Sequence, residues 1–334
     1  MTVTLQSPPL TENEDGQTRQ VGIELEFSSL SSQQSAELIR KRFGGEIISH
    51  DPHHYEVRDT QLGSFDCKLD VRYAHPSEDK EETAKRLLSG WVEEEKLNNL
   101  LRRTESFIGD LSQGWVPTEI VGPPIPYPQI PLIDELVGDL IAEGAEGTES
   151  SWAYAFGVQL NPEVAAKDAD YLLRHLQAYC LLSDWLRESI NIDVTRRILP
   201  FIDRFPLSYT KLILQKSYRP TREQLIDDYL QYNPTRNREL DMLPLFRHLD
   251  ETRVISQITS SLIKARPTFH YRLPNASFNK PGWSLAGEWN RWLKVEKLAH
   301  AKDRLSEMAA AFLQNQSKVF HGNWARMSAQ WVEP

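Results

Sequence analysis

Cysteine, basic clusters and long apolar runs are all scarce in this chain of 334 residues. The two cysteines, Cys67 and Cys180, each lie in an apolar periodic segment, which argues against a disulfide framework and favours a reducing compartment. No apolar run approaches the roughly 18–20 residues of a membrane span. The first 19 residues also lack the basic start and apolar centre of a secretory signal. We therefore expect a cytoplasmic protein that makes no membrane contact.

Positive charge is also in deficit, because 47 acidic residues outweigh 38 basic ones and leave a net charge of −9. The densest basic run is the triplet Arg40-Lys41-Arg42, which is typical of a helix end. A nucleic-acid-binding surface is excluded as a general feature by this balance. With 40% hydrophobic and 25% charged residues, the composition is that of an ordinary globular protein.

Hydrophobic periodicity gives the order of elements. Residues 1–19 hold few large apolar side chains, so we expect them to be disordered. The predicted strands are 21–27, 55–59, 65–73, 115–121, 152–160 and 266–273. The predicted helices are 35–43, 77–106, 128–143, 165–190, 225–232, 243–262 and 285–315. Most of the strands alternate apolar and polar residues, which predicts an α+β fold with a largely antiparallel sheet, covered by helices on one face. Chemistry is then expected on the uncovered polar face.

The segment VGIELEF places Glu24 and Glu26 on the same side of one strand. At i and i+2 their carboxylates lie about 7 Å apart, and their like charges oppose each other unless they are screened. A bound Mg²⁺ would resolve the repulsion, because hard cations take carboxylate oxygens and often pair them with substrate phosphates. Two solvated glutamates on an exposed strand face fit the same pattern, so periodicity alone does not decide between the two.

Further charged residues fall on comparable polar faces. A concave sheet that brought some of Asp59, Asp66, Asp70 and Glu119 beside Glu24 and Glu26 would make a multi-carboxylate metal site, although each acid taken singly is typical of a surface. The segment RPTFHYR places Arg266, Thr268, His270 and Arg272 on one strand face. Two guanidinium groups there would suit phosphate oxygens, or would serve as salt-bridge partners for nearby acids.

Four motifs in order, GIELEF, EIVGPP, GVQLNPE and RPTFHYR, resemble the amidoligase family related to glutamate–cysteine ligase and glutamine synthetase. The resemblance covers about 20–275, and its first two motifs are the specific part. It implies a curved, glutamine-synthetase-like antiparallel sheet that binds ATP with two or three Mg²⁺ ions. It also implies a catalytic domain over 20–275, which leaves 276–334 as a helical extension packed on that domain.

The resemblance implies a role for each matching residue. Glu24 and Glu26 would be metal ligands, Glu119 would be a third ligand with a catalytic part, and either Asp59 or Asp70 would supply the acid of an intervening strand. Arg266 and Arg272 would contact phosphate or acyl-phosphate oxygens. We accordingly expect the carboxylates of Glu24, Glu26 and Glu119 to converge.

The third motif departs from the family pattern. Where relatives show G-[LIV]-H-x-H, this chain has Gln159 and Asn161 at the two histidine positions. Amides can hydrogen-bond a nucleotide or substrate but cannot carry a proton as imidazole does. Either these amides orient ligands, or the activity is altered.

A polar loop, YNPTRNRELD, lies between the last two motifs. Arg236, Asn237, Arg238 and Asp241 are candidates for substrate contacts there, although a helix-linking turn has the same composition. Together with Gln159 and Asn161, the residues Arg236 and Asn237 form the expected nucleotide- and substrate-binding set. The group His50, His53 and His54 lacks the spacing of a zinc site, so we interpret these residues as part of a loop.

The activity implied is ATP- and Mg-dependent ligation of a carboxylate to an amine through an acyl phosphate. Its substrates would be small molecules or peptides, and a glutamine amidotransferase is a conceivable partner for ammonia supply. Two alternatives stay open at this point: a phosphotransferase of the same fold group, and a non-catalytic nucleotide- or peptide-binding relative.

Overall fold

The computed structural model describes residues 3–70, 117–148, 156–192, 202–260, 262–318 and 322–332. Over these ranges the chain forms one open antiparallel sheet with helices packed against it. The strands are β1 (Gln20–Phe27), β2 (Glu46–Asp51), β3 (His54–Thr60), β4 (Gly63–Leu69), β5 (Thr118–Val121), β6 (Ile125–Pro126), β7 (Val158–Pro162), β8 (Leu240–Asp241) and β9 (His270–Tyr271). The order across the sheet is β2-β3-β4-β5-β1-β7-β9-β8, and β6 adds to the start of β1.

The helices lie between these strands and after the last of them. They are α1 (Ser32–Phe43), α2 (Ile130–Ala142), α3 (Ala169–Ile190), α4 (Leu207–Ile213), α5 (Arg222–Tyr232), α6 (Leu243–Leu249), α7 (Glu251–Gln257), α8 (Leu285–His300), α9 (Lys302–Gln316) and α10 (Trp324–Val332). Among the described residues, none of these helices combines the length and apolar character needed to cross a membrane.

The two faces of β1 differ in polarity. Val21, Ile23, Leu25 and Phe27 are buried in the apolar core, whereas Glu24 and Glu26 on the other face are only partly buried. Helix α1 packs against β3, β4 and β5, and α3 packs against α8, α9 and α10. The predicted α+β class with an antiparallel sheet is thus confirmed.

Several predicted elements have different limits in the structure. Strand β2 was not predicted, and with β3 it places His50 and His54 on strands rather than in a loop. The predicted helix 243–262 is broken where the Asp250 carboxylate accepts a hydrogen bond from the Arg253 amide and caps a new helix. The predicted helix 285–315 is similarly split at Ala301, where the backbone leaves helical ψ. Helix α10 was not predicted.

Two further predictions concern segments that lie partly or wholly outside the described residues or that form a regular strand over only part of their length. The predicted helix 77–106 lies outside the described residues, as do the parts of strands at 71–73, 115–116 and 152–155. The late strand expected at 266–273 is regular only at β9. On either side of β9 the chain continues beside β7 through backbone hydrogen bonds such as that from the Val164 amide to the Pro267 carbonyl.

The N-terminal segment that we expected to be disordered lies against α8 instead. The Trp289 indole donates to the Gln6 carbonyl, and Asn290 bonds to the backbone of Thr4 and Gln6. Arg19 is buried and forms a bidentate ion pair with Glu296, with both nitrogen–oxygen distances at 2.8 Å. The composition of the segment did not indicate this anchoring, because it rests on a buried charge pair and on backbone groups.

Both cysteines are buried and reduced, as predicted. Cys67 lies on the core side of β4, and Cys180 lies in α3. Burial raises the pKa of each thiol, which keeps the thiols protonated and unreactive at neutral pH.

Candidate active site

A cavity of about 530 Å³ opens on the polar face of the sheet. Its lining includes side chains from β1, β3, β4, β5, β7 and β9, together with the loops before β8 and β9. The acidic residues of the lining come mainly from β4, β5 and β1, whereas the basic residues other than Lys68 come from β9 and the adjoining loops. The cavity thus has two electrostatically distinct sides.

Three carboxylates converge at the first side, where Asp70 and Glu119 line the cavity and Glu26 is close to both of them without belonging to the lining. Glu26, Asp70 and Glu119 each offer one oxygen, and these oxygens all lie within 4.8 Å of one another. We refer to these three residues as the carboxylate triad. Asp70 and Glu119 are buried, and Glu26 is partly buried.

Strand register explains this convergence. Lys68 of β4 lies opposite Glu119 of β5, and Glu119 lies opposite Glu26 of β1. Residues in register on neighbouring strands share a face of the sheet, so these three side chains form one row. Asp70 follows Lys68 by two residues, and its amide bonds the Pro117 carbonyl, which brings it to the same face.

Lys68 is a site residue that sequence reasoning missed. Its ammonium lies 2.9 Å from Asp66 Oδ2 and 3.4 Å from Glu119 Oε2. Burial alone would lower the pKa of Lys68, but Glu119 and Asp66 outweigh burial and raise it, so the side chain is charged. The signal was present in the sequence, because Asp66, Lys68 and Asp70 alternate on the polar face of β4.

Glu24 lines the same cavity but is bound differently from the triad. Its Oε1 accepts hydrogen bonds from Gln159 Nε2 at 3.1 Å and Asn161 Nδ2 at 2.9 Å. The register explains the contact, since Glu24 pairs with Gln159 and Gly22 pairs with Asn161. Of the expected convergence of Glu24, Glu26 and Glu119, the structure brings the last two together, and Asp70 takes the third place.

His270, on β9, lies next to the side-chain amide of Gln159. Its Nδ1 is 3.0 Å from Gln159 Nε2, which shares two hydrogens among Nδ1, Glu24 Oε1 and Asn161 Oδ1; when Nδ1 accepts one of them, the imidazole proton is on Nε2. Burial, followed by the charges of Arg272, Arg266 and Arg236, lowers the pKa of His270 well below its usual value. The buried Nε2 has no hydrogen-bond partner within the described ranges. His270 is thus a neutral imidazole that presents one donor to the cavity.

The second side of the cavity is basic. Arg236, Lys264, Arg266 and Arg272 line it, and we call these four residues the cationic side. Arg272 is buried and donates to Asp241 at 3.0 Å, which is also buried. Strand β1 is two strand steps, or about 10 Å, from β9, so an elongated anion could contact both sides.

Some predicted site residues lie elsewhere. Asp59 is exposed at the end of β3 with a φ of 54° and lies outside the cavity lining. A register shift between Val57 and Thr60 and the positive φ of Asp59 interrupt the alternation of β3, and Asp59 is exposed to solvent instead of lining the cavity. Of the two aspartates proposed for the metal, the structure therefore places Asp70 at the site.

The predicted site residues of the loop YNPTRNRELD also differ in whether they line the cavity. Arg236 lines the cavity, but Asn237 does not, and its backbone carbonyl accepts from the Asp203 amide instead. Arg238 donates to Asn233 at 2.9 Å and to the Arg204 carbonyl at 2.6 Å, so it holds the loop rather than facing the cavity. Asp241 reaches the site only through Arg272.

The carboxylate triad fits a hard divalent cation. Magnesium takes oxygen ligands at about 2.0–2.1 Å in an octahedron, which places opposite ligands about 4 Å apart. Carboxylate oxygens within 4.8 Å of one another reach that spacing by small side-chain adjustments. The donor set contains oxygen only, which favours Mg²⁺ or Mn²⁺ over softer metals.

Comparisons with known proteins identify the family of the chain. A family model described as "putative amidoligase enzyme" matches residues 17–294, which includes every strand of the sheet. No curated protein and no solved structure matches the chain. The match covers well over half of the chain and indicates a ligase-type activity. The chain therefore belongs to the family of putative amidoligase enzymes.

Proposed function

We propose that this protein is an ATP- and Mg²⁺-dependent ligase that joins a carboxylate to an amine through an acyl phosphate. The observation that carries the proposal is the two-sided cavity, with basic side chains on one side and, on the other, a carboxylate triad of which Asp70 and Glu119 belong to the lining. Such a cavity suits a nucleoside triphosphate, because a metal and guanidinium groups can neutralise its phosphates from opposite sides.

The carboxylate triad would hold Mg²⁺. When bound, the ion would neutralise phosphate charge, which supplies several kcal/mol of transition-state stabilisation in phosphoryl transfer. Glu24 would keep its orientation through Gln159 and Asn161, so its second oxygen is directed by two fixed amides. The two amides would thus orient Glu24 in place of the two imidazoles of the family pattern.

The cationic side would bind the transferred phosphoryl group and the substrate carboxylate. A carboxylate oxygen would attack the γ-phosphorus while the bond to the β–γ bridging oxygen breaks, which releases ADP. The amine nitrogen would then attack the carbonyl carbon, phosphate would leave with the electron pair of its C–O bond, and the amine would lose a proton. Arg266 would stabilise the developing oxyanion, and His270 would donate from Nε2.

His270 acts as a donor and not as a general acid in this scheme. An imidazole whose pKa lies well below 6.5 is neutral at pH 7 and holds its Nε2 proton. We propose small molecules or peptides as the carboxylate and amine substrates. Ammonia delivered by a glutamine amidotransferase is one form that the amine could take.

The test is an assay of ADP release with pairs of carboxylates and amines, combined with mass spectrometry of the products. We expect ADP only when both substrates are present, with one amide per ADP. A phosphorylated acceptor without amide would instead identify a phosphotransferase. Nucleotide binding without ADP release for every pair would identify a binding protein, for which the replaced histidines are the motivating observation.

Glu119→Gln and Glu56→Gln form a matched pair for this assay. Both glutamates line the cavity, but Glu56 is tied to Arg58 and His50 and stands apart from the triad. We expect Glu119→Gln to abolish ADP release and Glu56→Gln to retain it. Equal loss in both variants would contradict the metal assignment.

A further inference from the structure

Lys68 stands between two carboxylates in the way that a bound cation would. Its ammonium is 2.9 Å from Asp66 Oδ2 and 3.4 Å from Glu119 Oε2, and His54 Nε2 bonds the other oxygen of Asp66. The contacts join neighbouring strands of a regular antiparallel ladder, since Lys68 and Glu119 are in register. The ammonium position is therefore built into the sheet.

Asp66 and Glu119 would otherwise form a second metal site. Mg²⁺ is commonly bound by only one or two carboxylates together with substrate phosphates, and these two acids lie on adjacent strands of the cavity wall. Glu119 is shared, because its carboxylate also belongs to the triad with Glu26 and Asp70. A divalent ion between Asp66 and Glu119 would have to displace the ammonium or accept a like charge beside it.

We infer that Lys68 supplies the second positive charge of the site, so that the nucleotide complex holds a single divalent cation, at the carboxylate triad. The resemblance to the amidoligase family implies two or three such ions. The inference rests on the proposed function, because it assumes that the triad binds a metal. It also gives Lys68 a direct role, since a charged ammonium beside the metal can contact a phosphate oxygen.

The experiment counts Mn²⁺ per bound nucleotide by electron paramagnetic resonance, with a non-hydrolysable ATP analogue at saturation and the free analogue as blank. We expect one Mn²⁺ in the wild type and two in Lys68→Met, because the neutral side chain of similar length leaves Asp66 and Glu119 to a second ion. Lys68→Arg should restore a count of one.

Lys264→Met is the matched control, since Lys264 lines the same cavity but belongs to the cationic side. Its count should stay at one. We also expect Mn²⁺ to bind the triad about tenfold more tightly in Lys68→Met, equivalent to about 1.4 kcal/mol, because a neighbouring positive charge is removed.

The possible failures are distinguishable. Two Mn²⁺ ions in the wild type, both lost in Glu119→Gln, would overturn the role of Lys68 and leave the metal site intact. A count of one in both wild type and Lys68→Met would also overturn it. A Mn²⁺ count that is unchanged by Glu119→Gln would contradict the triad as a metal site, and the inference with it.

Discussion

The two sides of the cavity are built in different ways. The carboxylate triad lies on or beside β1, β4 and β5, whose strands of four to eight residues form continuous ladders. The cationic side lies on β9 and on loops, and both β8 and β9 are only two residues long. A long strand directs its side chains by alternation alone, whereas a short strand needs support from elsewhere in the fold.

Buried charge pairs provide that support. Glu239, which is fully buried, accepts hydrogen bonds from Ser183 and from Arg187 of α3. The Glu239 carbonyl in turn accepts from the Arg272 amide. Asp241 pairs with the Arg272 side chain. The cationic side is thus fixed to α3 and β8 by polar groups in the interior, and its geometry should respond to different mutations than the triad does.

The largest expected effect is on catalysis at the triad. Glu119→Gln should lower kcat/KM for amide formation about 10³-fold, or about 4 kcal/mol, because it removes a metal ligand. The free energy of unfolding should change little by comparison, since the ladder is retained. Initial rates combined with urea unfolding will check both. A loss of unfolding free energy as large as the loss in kcat/KM, expressed as free energy, would show that Glu119 mainly supports the fold. That result would contradict the distinction between the two sides.

The next effect is on stability at the cationic side. Arg272→Met should lower the free energy of unfolding by roughly 3–5 kcal/mol, because the charge of Asp241 stays buried without its arginine. Arg266→Met should cost about 0.5 kcal/mol or less, as expected for a partly exposed side chain. Urea unfolding measures both. Adding Asp241→Asn to Arg272→Met should recover part of the loss, and an absence of recovery would contradict the pairing.

A pH effect should also appear in the core beneath the cationic side. His175 of α3 is buried and stacks on Phe269, which precedes β9, and burial lowers the pKa of His175 to about 4. An unfolded histidine titrates near 6.5, so the unfolded chain binds more protons between these values. The contribution of His175 to stability is therefore full above pH 6.5 and falls by roughly 2 kcal/mol between pH 7 and pH 5.

Urea unfolding at both pH values checks the histidine assignment. His175→Gln should reduce the dependence over this range by roughly 2 kcal/mol and leave the part that comes from His270, whose pKa is also lowered by burial. His53→Gln, at an exposed position, should leave the slope unchanged. An unaltered slope in His175→Gln would show that other groups carry the pH dependence.

The smallest expected effect lies at the boundary between the two sides. Restoring histidine at both Gln159 and Asn161 should change the Kd for Mg-ATP by less than about tenfold, or ~1.4 kcal/mol, because imidazoles can also orient Glu24. Titration calorimetry on wild type and variant measures it. Robust wild-type turnover would agree with an orienting role, whereas turnover only in the double variant would show that proton transfer was lost with the histidines.

The comparison also explains what the sequence could predict. Alternation in VGIELEF and in the segment from Phe65 to Asp70 is sufficient to place Glu26, Lys68 and Asp70 on one face. The choice between Asp59 and Asp70 could not be made by counting along the strand, because the register shift after Val57 breaks the alternation at Asp59. The place of Lys68 in the site becomes evident only from its contacts with Asp66 and Glu119, because the pairing of β4 with β5 cannot be read from either strand alone.

The cationic side could be predicted only in part. Arg266 and Arg272 line the cavity, but nothing local in RPTFHYR predicts that Arg272 pairs with Asp241 or that Gln159 contacts Nδ1 of His270. Asn237 and Arg238 lie in the same polar loop as Arg236. Only the path of the folded loop decides that Arg236 lines the cavity and the other two do not. The anchoring of the N-terminal segment by Arg19 and Glu296 likewise depends on a contact across 277 residues.

The central position of β1 also has a consequence for synthesis of the chain. This strand is made first, yet its neighbours β5 and β7 begin about 100 and 140 residues later. At 5–20 residues per second, a ribosome needs roughly 7–28 s to reach β7 after β1. The β2-β3-β4 meander can pair early, while the apolar face of β1 stays uncovered by its neighbouring strands until β5 and β7 have been made. Folding should therefore be slow, and the nascent β1 is the segment for which chaperone protection matters most.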